Sequence, residues 1–141
     1  MKPQTLALCL SILMLTPACL VAQEQEPGTV AAVTRLDATP EQSVFDDATR
    51  VKPLELGSAE AAQAYFTGDA LKALNKAVDW ERQTVLVFAW RGSGQDKLST
   101  QVKEQGDGIA VHFVYSPGRT RDLRPHTYVY AVRNGVSWET K

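Results

Sequence analysis

The chain is poor in cysteine. Its 141 residues include two, Cys9 and Cys19, both close to the N-terminus, so a disulfide scaffold is excluded. No charge sign dominates: 15 Lys and Arg stand against 16 Asp and Glu, a formal net charge of -1. That balance lacks both the basic excess of a nucleic-acid binder and the acidity of a solvating tail. Histidine is scarce too. His112 and His126 alone cannot build a metal site without carboxylate help from Asp96 or Asp122, so neither a metal nor another cofactor is expected. Ser93 in Gly92-Ser93-Gly94 is not a nucleophile elbow, which needs glycines two residues to either side of the serine. Long apolar runs are absent apart from Leu6–Leu15, LALCLSILML. A bilayer span needs about 20 residues, so no transmembrane segment is expected.

That apolar run follows Met1-Lys2-Pro3, a short cationic start, and suits the core of a secretory leader. Cleavage after Leu20-Val21-Ala22 makes residues 1–22 a signal peptide and leaves Gln23 first; cleavage after Thr16-Pro17-Ala18 leaves Cys19 first. The second site raises a lipid anchor on Cys19. Thr16 and Pro17 depart from the leucine and small residue that a lipobox carries, so the simple leader is preferred. The expected location is outside the cytoplasm, periplasmic or extracellular.

Residues 23–49 read as a flexible segment. Gln23 to Gly28 is linker-like, and Val30, Val33, Leu36, Val44 and Phe45 are its few sizeable apolar residues. One short docked element is expected near Thr29–Arg35. A single domain over residues 50–141 follows. Val51, Leu54 and Leu56 alternate in an edge strand marked by Pro53. Ser58 caps a first helix through Phe66, and Asp69 caps a second, Ala70 to Ala77, with Leu71, Leu74 and Val78 at helical spacing.

From there the period changes. Val85 to Trp90 is six apolar residues in a row, the mark of a central strand covered on both faces. Strands are also predicted over 97–105, 109–115 and 127–133. Asn134-Gly135 predicts a type I′ hairpin into Val136-Ser137-Trp138-Glu139. Eight of the eleven aromatics lie between Trp80 and Trp138, which puts the energetic centre in this sheet. The predicted fold class is α+β: one or two N-terminal helices packed on an antiparallel sheet of four to six strands.

The order of strand, Ser-capped helix, Val78-Asp79-Trp80, central strand and glycine-containing turn resembles the C-terminal domain of the protease-complex subunit PrcB. That family carries Val-Asp-Phe before the strand and Gly-Gly-Tyr after it; here Trp80 replaces the Phe, and Gly92-Ser93-Gly94-Gln95 lacks the Tyr. The blocks from Phe88 to Asp96 and from Pro117 to His126 also resemble those of small secreted bacterial proteins of unassigned activity. The PrcB likeness implies a non-enzymatic accessory or binding domain and no catalytic residues.

The candidate site is a pair of loops. Arg119, Arg121 and Arg124 fall within six residues on a segment bounded by Pro117 and Pro125, with Asp122 among them and His126 behind. Arg91 and Asp96 flank the other loop. Arginine forks bind carboxylates, phosphates or sulfates bidentately, so the loops predict a ligand site for a protein partner or a small anion if they meet at one sheet end. The competing expectation is that the aspartates pair with the arginines and merely pin the loops. Charge supports the location: residues 23–81 carry 5 basic and 11 acidic side chains, residues 82–141 carry 9 and 5. The leading functional expectation is an exported, non-enzymatic binding module that uses no nucleic acid. The alternative is a small exported hydrolase acting on an anionic or sugar substrate through Asp96, Asp122 and His126.

Overall fold

The computed structural model describes residues 30–141. The expected signal peptide, its candidate cleavage sites and the alternative of an anchor on Cys19 all lie outside the described residues. Seven strands form two sheets, and three short helices accompany them: β1 Val33–Leu36, α1 Val44–Asp47, β2 Leu54–Leu56, α2 Ala59–Ala62, α3 Gly68–Ala77, β3 Gln83–Gly92, β4 Lys97–Gln105, β5 Gly108–Ser116, β6 Arg124–Arg133 and β7 Ser137–Thr140. The first sheet has the order β1-β6-β3-β2 and is antiparallel throughout. The second has the order β4-β5-β7, with β4 antiparallel and β7 parallel to β5.

This corrects the predicted fold class. In place of helices packed on one antiparallel sheet of four to six strands, strands hold 44% of the described residues in two sheets and helices only 16%. The reason lies in β3. Successive strand side chains point to opposite faces, so Val85, Val87 and Ala89 join the helices and Phe66 in one core, while Leu86, Phe88 and Trp90 face the second sheet. The six-residue run does mark a strand covered on both sides. Its second cover is another sheet, where Phe113 meets Phe88 with ring centroids 4.8 Å apart and Tyr130 at 5.1 Å.

The Asn134-Gly135 hairpin is also corrected. A turn does form, with Val136 N–H donating to the Arg133 carbonyl at 3.1 Å. Only Gly135 has positive φ, however, at 83°, as in a type II turn rather than type I′. The strand that follows leaves β6 for the second sheet and pairs with β5. Asn134 holds the turn differently: its Nδ2 donates to the Glu81 carbonyl at 3.2 Å and its Oδ1 accepts from Thr84 Oγ1 at 3.0 Å.

The first helix is shorter than expected, and the second begins two residues earlier, at Gly68. Ser58 does cap α2, its Oγ accepting from Ala61 N–H at 3.2 Å, but the helix ends at Ala62 and single turns carry the chain to Phe66. Thr67, not Asp69, occupies the N-cap position of α3. The stretch before Arg50 takes part in the fold: β1 pairs with β6 from Val33↔Val132 to Leu36↔Val129, and Val44 and Ala48 are buried in the helix-side core.

Candidate functional site

Two connections between the sheets create the site. β3 ends at Gly92 opposite Arg124, where β6 begins, and β4 begins at Lys97 opposite Ser116, where β5 ends. The 93–96 loop therefore leaves the first sheet and the 117–123 loop returns to it at the same end of the sandwich. Prolines and glycines supply the breaks; the register brings the breaks together.

Asp96 is the hub. It is 5% exposed, and both carboxylate oxygens are engaged. Oδ1 accepts from Gly118 N–H at 2.7 Å, and Oδ2 accepts from Trp90 Nε1–H at 2.9 Å. The Gly118 N–H above all, helped by the indole and the Tyr115 hydroxyl, holds its carboxyl below the usual range despite burial, which acts the other way. Asp122 does the same for the opposite loop. Its Oδ1 accepts from Gly94 N–H at 3.0 Å and its Oδ2 from Arg124 Nε. The Thr120 hydroxyl first, then Gly94 N–H and Arg124, push its carboxyl well below the ordinary range.

Ser93 ties the loops a third time. Its Oγ accepts from Thr120 N–H at 3.1 Å and lies 2.7 Å from Thr120 Oγ1. Its carbonyl, which can only accept, lies 2.7 Å from His126 Nε2 and so assigns the ring proton to that nitrogen. Gly118 is needed for close approach: a Cβ there would stand 2.7 Å from the Gln95 carbonyl carbon.

The sequence-predicted residues thus divide. Asp96, Asp122, Arg124 and His126 converge; Asp122 pairs with Arg124, whereas Asp96 pins its loop through Gly118 N–H and the Trp90 indole and not through an arginine. Arg119 and Arg121 are exposed on the same loop and form no ion pair with any described residue. Arg91 is separate. As Trp90's neighbour on a strand it points to the other face, over the Phe45 ring at 4.9 Å, with its Nη2 donating to Gln42 Oε1 at 3.4 Å. Trp90 and Tyr128 stack on each other, with centroids 5.4 Å apart and planes 8° apart, and His126 stacks on Trp90 at 5.1 Å.

Sequence reasoning missed Ser93 and Thr120 as linkers and Leu123 as an apolar side chain 74% exposed beside Arg124. Leu123 had a signal, a large apolar residue in a charged loop; the serine and threonine had none. Among the described residues, no three His, Cys, Asp or Glu side chains gather as metal ligands, and no helix is long and apolar enough to cross a membrane. No protein-family model, curated protein or solved structure matches this chain.

Proposed function

We propose that the protein is an exported, non-enzymatic binding module that uses the 117–123 loop to engage carboxylates, either on an acidic protein surface or on a small anionic ligand. The observation that carries this reading is the division of labour in the loop. Its backbone is held by Asp96 and Ser93, and its Asp122 side chain is anchored to Gly94 N–H of the facing loop, while Arg119 and Arg121 extend into solvent without carboxylate partners among the described residues. A loop already ordered loses little conformational freedom on binding. Exposed Leu123 adds apolar area on the same loop, and arginine is enriched among residues that dominate interfaces. The PrcB likeness supports an accessory role, and the cationic start with its apolar run supports export.

The hydrolase alternative has less support. A general acid needs a proton to give, and the groups around Asp96 and Asp122 favour the ionised form of both. Their oxygens already accept from Gly118, Trp90, Gly94 and Arg124.

Fluorescence anisotropy with a labelled polyglutamate probe at low salt tests the proposal. An exposed ion pair contributes about 0.2–1 kcal/mol, so Arg119→Gln/Arg121→Gln should bind about three- to tenfold more weakly with an unchanged circular-dichroism spectrum. Equal affinity of variant and wild type, or no binding by either, overturns it.

A further inference from the structure

The two sheets differ in width. β3 lies over β5, with the Phe88 and Phe113 centroids 4.8 Å apart and those of Trp90 and Tyr115 5.9 Å apart. β6 lies over β4, where the Tyr130 hydroxyl donates to the Leu98 carbonyl at 3.4 Å. Thr140 of β7 donates to the carbonyl of Val51, just before β2, at 2.9 Å. Four strands thus stand over three, and β1 overhangs the outer edge of β4. Two exposures mark the gap beneath it. Arg35 of β1 shares the inward face with its partner Tyr130 and lies over the Tyr128 ring at 4.5 Å, yet it is exposed. Val102 of β4 shares the inward face with its partner Val111, which is fully buried, yet it is 54% exposed.

Among the edge strands β4 is the longest, nine residues against four, three and four for β1, β2 and β7. Gln105 and Gly108 close a two-residue hairpin and so exchange backbone hydrogen bonds. The alternation of an antiparallel pair then turns the N–H and C=O of Thr100, Val102 and Glu104 away from β5. These groups have no hydrogen-bond partner among the described residues. The same residues send their side chains to the inward face, so the unpaired backbone edge and the uncovered gap coincide. Arg35 and Lys97 are exposed and form no ion pair with any described residue. Lys97 stands opposite Ser116, where the arginine loop begins, and Glu104 lies at the other end of β4, beside the turn.

We propose that an extended, acidic segment of a partner protein adds to β4 as a fourth strand of the second sheet, its backbone pairing with Thr100 and Val102 and its alternate apolar side chains filling the gap beneath β1. Strand addition draws affinity from main-chain hydrogen bonds and specificity from every second side chain. The partner's acidity rests on the reading above and on Arg35 and Lys97; the seat rests on the strands alone. A second copy pairing through its own β4 would bring its first sheet with it and set its β6 where β1 lies. A single strand brings no such sheet.

The test uses the full chain carrying Arg119→Gln/Arg121→Gln, so that loop and edge can fail separately. Three labelled peptides of alternating Glu and Val are compared by fluorescence anisotropy at low salt: one unmodified, one N-methylated on every Val, one on every Glu. All carry the same charge, but each methylated peptide loses the donors of one edge only. The unmodified peptide should bind, and one methylated peptide should bind about tenfold more weakly than the other, the effect of a few lost hydrogen bonds. Sensitivity to methylated Val identifies antiparallel addition and sensitivity to methylated Glu parallel addition, because only antiparallel partners on one face exchange hydrogen bonds directly. Bound peptide should slow amide exchange at Thr100 and Val102 about tenfold or more, with less change at Gln101 and Lys103, which already face β5. Adding Arg35→Gln/Lys97→Gln, both at exposed residues, should weaken binding about threefold. No binding, equal binding of the two methylated peptides, unchanged exchange at Thr100 and Val102, or affinity untouched by Arg35→Gln/Lys97→Gln overturns the proposal. So does a dimer in sedimentation that protects those amides without peptide, which would assign the edge to a second copy.

Discussion

Replacing Asp96 by Asn tests the structural core of the loop site. The substitution preserves shape and volume and removes charge. In the native protein the carboxylate accepts from Gly118 N–H at 2.7 Å and from Trp90 Nε1–H at 2.9 Å in a position 5% exposed. An asparagine has one accepting oxygen. Whichever way its amide turns, an NH₂ meets one of two N–H donors. One hydrogen bond to a charged group, worth about 1.5–3 kcal/mol, is lost, and a buried donor is left unpaired at about 1–3 kcal/mol. Partial relaxation of the loops offsets some of this, so a destabilisation of about 2–4 kcal/mol at pH 7 is expected. The effect depends on pH. The folded-state pKa of Asp96 is lowered by these donors, so the unfolded chain binds the proton more readily. The contribution is fully present above the unfolded value of about 3.9 and is lost as pH falls through the folded value. The gap between wild type and Asp96→Asn should therefore narrow below about pH 4. Asp122 and Glu139, whose carboxyls are also held low, are common to both proteins and cancel in the difference. Urea unfolding followed by tryptophan fluorescence measures the gap, with Trp90 itself as reporter. A difference below about 1 kcal/mol at pH 7, or one constant down to pH 3, refutes the assignment of Asp96 as an ionised backbone acceptor.

Two further outcomes follow from the packing. Gly118→Ala forces a methyl group to 2.7 Å from the Gln95 backbone and should destabilise by about 1–3 kcal/mol in thermal unfolding; a neutral result would mean that the loops part without penalty. Phe88→Ala removes the ring between Phe113, at 4.8 Å, and Tyr130, at 6.1 Å, and should cost about 3–5 kcal/mol in denaturant titration, whereas a cost near 1 kcal/mol would contradict a core shared by the two sheets.

Much of the strand content could be read from local pattern. The unbroken apolar run of β3 and the alternation of β5 are signals carried by the residues themselves, and Gly106, with φ of 60°, forms the turn that its composition suggests. Segment 30–49 looked weak because its apolar residues are few and widely spaced. Val44 and Ala48 are nonetheless buried, because the helix-side core lacks a second sheet and takes whatever short elements reach it. The candidate site was legible as residues that would meet, but not as residues with separate tasks. Arg91, Arg119, Arg121 and Arg124 are one residue type with three fates: stacked on Phe45, free in solvent, or paired with Asp122.

By itself, the sequence determined where the strands run, where the chain turns and which half holds the aromatic mass, because hydrophobic period and turn chemistry act over a few residues. Only the tertiary structure decided which strands share a sheet. Asn134-Gly135 turns the chain equally well back onto β6 or across to β5, and the choice falls to Trp138, which packs near Phe113 at 6.3 Å in the core between the sheets. The same long-range register turned Asp96 and Asp122 from apparent ligand groups into the acceptors that hold two loops together, since a carboxylate's role is set by the donors that folding brings to it.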